Sequence, residues 1–154
     1  MGAMIKLTAA DGHKFDAYKA TPAGMPKGGI CVIQEIFGAN AHIKEVADGY
    51  AADGYLAIAP ALYDRAESGV NLGYTAEDMQ AGRDFRAKVG DDGPVADIAA
   101  VNLAMRKGVN YPLGPLEWAE QWGWDSVVET LDNLQQVNAE RYQTSEWLRQ
   151  KIKL

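Results

Sequence analysis

Two short apolar runs decide most of what this chain can become. Gly29-Ile30-Cys31-Val32-Ile33 and Tyr55-Leu56-Ala57-Ile58-Ala59 carry no charge, and Pro60 bounds the second. Runs of that length, flanked by glycine and proline, predict buried strands. Between them Asn40 can cap a helix from Ala41 to about Ala52, with Ile43, Val46, Ala47, Tyr50 and Ala51 at helical spacing and Gly54 just past its end. Strand, helix and strand within about thirty residues predict a βαβ unit whose strands lie parallel in one sheet. The first strand is expected over 29–35, ending at Gln34-Glu35 before a turn through Phe37-Gly38. A charge at the carboxyl end of a buried strand is a usual place for chemistry in an α/β protein. The plainer alternative is a solvated strand end.

The flanking sequence adds elements on both sides. Ile5 to Thr8 and Phe15 to Tyr18 alternate apolar and polar about the turn Ala10-Asp11-Gly12-His13, which predicts a hairpin. Met1-Gly2-Ala3 before Met4 reads as an added leader and is left out of the expected fold. Thr21 to Gly28 reads as a loop. Thr75 caps a helix with Glu77 and Asp78 in its first turn, running to about Val89. Gly90-Asp91-Asp92-Gly93-Pro94 then breaks the chain, and a helix from Val95 to Lys107 follows. Beyond this no strand-like run recurs. Pro115 opens a helix that Gly123 ends, and Ser126 with Glu129 fits a capping box for a helix through Asn138, with Val127, Leu131 and Leu134 on one face. Ser145 can cap a last short helix. The expected fold class is α/β, a truncated sheet of hairpin plus βαβ followed by an all-helical segment.

Composition narrows the partners. With 47% hydrophobic and 23% charged residues the chain is an ordinary globular one, which argues against disorder. A net charge of −6 without a basic cluster argues against nucleic acid. No apolar run approaches the roughly 20 residues that span a bilayer, so no membrane partner is expected. A single cysteine forbids an internal disulfide and fits a reducing compartment, so a cytoplasmic location is expected.

Longer stretches carry a family likeness. "IKLTAADGHKFDAYKATPAG", "GGICVIQEIFGANAHIKEVADGYAADGYLAIAPALYDR" and "NLGYTAEDMQAGRDFRAKV", with Gln34-Glu35-Ile36-Phe37-Gly38 the most specific motif, resemble the amino-terminal half of dienelactone hydrolases (carboxymethylenebutenolidases) over residues 4 to about 100. The resemblance implies an α/β-hydrolase fold and a Cys-His-Asp triad that opens lactones through an acyl-enzyme. The tail differs. "LAMRKGVNYPLGPLEWAEQWGWDSVVETLDNLQQVNAERYQTSEWLRQK" resembles the carboxyl-terminal helical domain of bacterial 3-hydroxyacyl-CoA dehydrogenases, with Asn110-Tyr111-Pro112 and Gly114-Pro115 its distinctive stretch. That segment implies a role in dimerisation and in completing a substrate cleft. The chain is therefore expected to be a hybrid, with a hydrolase-like part over 4–96, a helical part over 97–154, and a seam between Val95 and Leu103.

The hydrolase resemblance implies that Glu35 controls a nucleophilic cysteine and that the Ile36 N–H helps form an oxyanion hole. The elbow cysteine, aspartate and histidine come later in that family, and no G-x-C-x-G or G-x-S-x-G occurs in these 154 residues. The triad is expected to be missing. Cys31 lies within a strand, where a buried thiol is inert, and His13 and His42 read as surface residues. Arg83, with Arg86 one turn on, is placed where an anionic substrate could bind, or else on a solvated helix face. No metal-ligand spacing and no G-x-G-x-x-G follow a strand, so no cofactor is expected. The tryptophans at 118, 122, 124 and 147 read as core or interface.

By the same resemblance, strand 29–35 loses its far neighbour. A bare apolar edge must be covered, either by the helical tail or by a second copy, and a homodimer through 29–35 is expected. The expected function is an inactive, self-associating hybrid. The alternatives are a weak ester or lactone hydrolase with a residual or inter-chain site at Glu35 and Ile36, and an acyl-CoA-binding helical module.

Overall fold

Hairpin and βαβ unit meet in one four-stranded sheet. This computed structural model describes residues 2–108, 115–137, 144 and 148–150. Strands β1 (Ala3–Thr8) and β2 (Lys14–Ala20) form the hairpin, β3 (Gly29–Cys31) follows the loop, and β4 (Leu56–Pro60) follows helix α1 (Ala41–Ala52). The order across the sheet is β1-β2-β4-β3. β2 runs antiparallel to β4, with Ala20 opposite Ala57, and β3 runs parallel to β4, with Gly29 opposite Leu56 and Cys31 opposite Ile58.

The alternation of each strand sorts its side chains onto two faces. On one face Tyr18, Ala20, Val32, Ala57 and Ala59 pack under Ile43 and Ala47 of α1. On the other, Phe15, Ala17, Leu56 and Ile58 pack under Val101 and Met105 of α3 (Asp92–Gly108). Covered on both faces, β4 is buried along its whole length, which explains its uninterrupted apolar sequence. Each large side chain so buried stabilises the fold by about 1.5–3 kcal/mol. A side chain at Gly29 would bring Cβ to 2.8 Å from the Met105 sulfur, so Met105 would have to shift to admit one.

Several boundaries differ from expectation for identifiable reasons. The strand expected over 29–35 is regular only over Gly29–Cys31, although Val32 still donates to Ile58 O at 2.9 Å. The next parallel rung would need an N–H at Pro60, which has none. Ala3 is not a bystander. It pairs with Lys19, and Gly2 N–H reaches the Tyr18 hydroxyl at 2.8 Å and Asp48 at 3.0 Å. α3 begins at Asp92, with Gly93 and Pro94 inside its first turn, where a missing N–H costs no helical bond.

Two of the expected caps form. Asn40 accepts from the Ile43 N–H at 3.2 Å, and Thr75 with Asp78 closes a capping box on α2 (Ala76–Val89). A short 3₁₀ turn, Leu62–Arg65, was not foreseen.

The described residues divide into two compact units, 1–114 and 115–154. The second holds α4 (Pro115–Trp122) and α5 (Trp124–Val137), joined at Gly123, whose φ is +94°. Ser126 lies inside α5 and does not cap it, and Val128 is its buried residue. Trp122 is 61% exposed. Ser145 and Trp147 lie outside the described residues. No described helix is long and apolar enough to cross a membrane.

Candidate functional site

The carboxyl end of β3 opens into a cleft of about 440 Å³. Its walls come from residues 33–36, from Leu62 and Tyr63 in the 3₁₀ turn, from the end of α2, and from Pro94, Val95 and Ile98 at the start of α3. Glu35 and Ile36 both line it, as does Gln34. The tight turn that presents them is fixed from several sides. Gly38, at φ +82°, donates to Glu35 O at 3.3 Å, and the Gln34 side-chain oxygen accepts from Leu62 N–H at 2.9 Å. The Tyr63 hydroxyl lies 3.2 Å from Ile36 O and 3.1 Å from Gly82 O, and its ring stacks on Phe85. Burial, opposed in part by Arg86, raises the pKa of that phenol.

Glu35 is exposed, and among the described residues its carboxylate accepts one long bond, 3.4 Å, from the Tyr74 hydroxyl. Tyr74 is held by Phe37, with ring centroids 4.5 Å apart. Among the described residues the Ile36 N–H has no acceptor. The site thus combines largely apolar walls with the unpartnered Ile36 N–H, the Glu35 and Asp91 carboxylates and the Arg86 guanidinium. It can hold an apolar group and hydrogen-bond an oxygen atom. None of its lining residues is Ser, Thr, Cys, His or Lys.

Arg83 is not part of this cleft. It points along the exposed face of α2, 3.6 Å from the Met79 sulfur, whereas Arg86, one turn on, lines the cleft and is tied to Gly90 O and Asp91. Arg83 is the substrate-binding candidate of the sequence, and the tertiary placement of α2 puts its neighbour Arg86 at the cleft instead.

Cys31 is half-buried on the edge strand, among the side chains under α3. Burial pushes its thiol up to about 12 from 9.0. At pH 8 its thiolate fraction is then about a thousandfold below that of an exposed cysteine. Alkylation by iodoacetamide is expected to stay slow until the pH approaches 12 and to become rapid at pH 8 once urea unfolds the chain; fast labelling of the native protein at pH 8 would contradict this burial. His42 is exposed, and His13 stacks on Phe15 with its Nε2 buried and unpartnered. Neither reaches the cleft. Among the described residues no cluster of three or more metal-ligating side chains occurs.

Comparison with known proteins agrees with this geometry. Residues 15–111 match the family model of the dienelactone hydrolases, and residues 88–154 match that of the 3-hydroxyacyl-CoA dehydrogenase C-terminal domain. The two matches overlap on 88–111, which contains α3. A Synechocystis sp. protein assigned as a carboxymethylenebutenolidase is 44% identical over 71 residues, 46% of this chain and 29% of that protein. The 3-hydroxyadipyl-CoA dehydrogenase of Escherichia coli is 46% identical over 61 residues, 39% of this chain and 13% of that protein. A crystal structure from Klebsiella pneumoniae, assigned to the dienelactone hydrolases, superposes with a TM-score of 0.56 at 30% identity, covering 70% of this chain and 45% of that one. The chain spans about 30% of the length of the first curated hydrolase relatives it matches. The hydrolase match begins at the second hairpin strand, runs through α3 and takes in every residue that lines the cleft; the chain belongs to the dienelactone hydrolase family.

Proposed function

We propose that this chain acts by association and not by turnover. One observation carries the reading: the cleft that holds Glu35 and Ile36 is lined by no serine, threonine or cysteine nucleophile and by no histidine or lysine base. A hydrolase that forms an acyl-enzyme needs an activated nucleophile. Cys31, the sole thiol, is protonated at neutral pH, and the sequence holds no nucleophile elbow. The edge of β3 supplies the other half of the argument. No strand lies beyond it among the described residues. Helices can shield the faces of a sheet, but only another strand can take up a ladder of N–H and C=O groups, so a homodimer through the 29–35 region is the reading that satisfies them.

The unpartnered Ile36 N–H favours a second reading, a residual lactone or ester hydrolase that borrows its nucleophile from another chain. Turnover of a dienelactone or an activated aryl ester separates the two. The unmodified chain is expected to match the buffer rate, with no change in Glu35→Ala, and to show a dimer mass by light scattering at micromolar concentration. Turnover above buffer that falls in Glu35→Ala would replace the association reading with the hydrolase one.

A further inference from the structure

Parallel pairing with β4 dictates which backbone groups of β3 remain free. Gly28 O accepts from Leu56 N–H and Val32 N–H donates to Ile58 O, both at 2.9 Å, so the even-numbered residues of this stretch face β4. Backbone groups alternate sides along a strand, which leaves those of Gly29, Cys31 and Ile33 facing outward. The set is symmetric about Cys31. No charge and no proline interrupts 29–33, so the usual devices that blunt an edge are missing, and Ile33 is 48% exposed.

We propose, resting on the association reading above, that β3 pairs antiparallel with β3 of a second copy about a two-fold axis at Cys31. Cys31 then faces its own symmetry mate, and Gly29 of each copy faces Ile33 of the other. Each of these is a hydrogen-bonded pair, so every outward N–H and C=O of the three residues finds a partner. A parallel arrangement could not be two-fold in this way.

The same register has a consequence in charge. Outside the three paired residues the chain leaves the strand, with Lys27 in the loop before Gly29 and Glu35 in the turn after Ile33, so this register brings the turn carrying Glu35 of each copy toward the loop carrying Lys27 of the other. Glu35 has no cationic partner among the described residues, and the Lys27 ammonium meets only the Asp53 carbonyl at 2.8 Å and, more distantly, the Tyr55 ring. The loop before β3 also carries Met25, 94% exposed in the single subunit, on the side from which the second copy approaches.

The test is a charge exchange read as a dimer dissociation constant by sedimentation equilibrium at low ionic strength. Glu35→Lys and Lys27→Glu are each expected to weaken the dimer about tenfold, since two attractive pairs become repulsive, and the double variant is expected to recover to within about threefold. A dimer indifferent to both single changes, or not rescued by the double change, overturns this register while leaving association standing. A monomeric unmodified chain, with its own helical segment over the edge, overturns the association reading itself. Amide exchange on the unmodified dimer needs no substitution: Cys31 and Ile33 N–H are expected to be protected and to lose protection on dilution. Fast exchange of both in the dimer would sink the pairing.

Discussion

Asp97→Ala is expected to destabilise the 1–114 unit by about 3–5 kcal/mol, a large part of the stability of a domain this size. The Asp97 side chain is fully buried, and Arg65 grips it with two hydrogen bonds, 2.9 Å from Nε and 2.7 Å from Nη2. The third donor of the guanidinium reaches Asp11 at 2.9 Å. Asp97 first and then Asp11 hold Arg65 charged far beyond its ordinary range, and Arg65 in turn keeps the exposed Asp11 carboxyl below its own. Removing Asp97 strands a largely buried cation with one solvent-facing partner, and that uncompensated charge is the source of the loss. Arg65→Met together with Asp97→Leu removes both charges and is expected to cost far less, because the desolvation of each ion disappears with it. Urea unfolding of the single and double variants decides the matter: equal losses in both would mean that packing, not charge, dominates the site.

Local signals in the sequence carried most of the fold. The Asn40 cap, the Thr75 cap and the Pro115-to-Gly123 helix are settled within a few residues of chain, and all three form, whereas the capping box expected at Ser126 does not. The hairpin and the βαβ unit are likewise legible from period and turn chemistry. What escaped was set across the fold. β3 ends early because of a proline on a different strand, and the Arg65–Asp97 pair joins residues 32 apart in sequence. That pair also needs Gly93, where a Cβ would fall 2.4 Å from the Arg65 side chain, a demand invisible in a stretch that reads as a chain break. Glu35 and Ile36 were found through the family motif, and the structure does bring them to one cleft. Arg83 lies outside the cleft and Arg86 lines it, because one helical turn separates them and spacing cannot tell which side of a helix faces a cleft.

Gly82→Ala is expected to lower stability by about 3 kcal/mol and the melting temperature by about 10–20 °C. A glycine in the middle of α2 reads from sequence as a weak point in a helix, since it lacks the propensity of alanine. Its environment reverses that judgement. A Cβ at this position would sit 2.1 Å from Ile36 O and 3.2 Å from Ile36 Cβ, and the neighbour is backbone in a turn already pinned by Gly38 and Gln34. Moving the turn aside also separates the Tyr63 hydroxyl from Ile36 O and Gly82 O, the two carbonyls it spans. Gly49→Ala in α1, where nothing lies within 4 Å of the added carbon, is the matched control, and it is expected to be neutral or stabilising by up to about 1 kcal/mol. The contrast between two glycines in two helices isolates the contact from the propensity. A loss below about 1 kcal/mol at Gly82 would mean that residues 34–38 yield easily, and a turn that yields cannot hold the Ile36 N–H in place at the cleft.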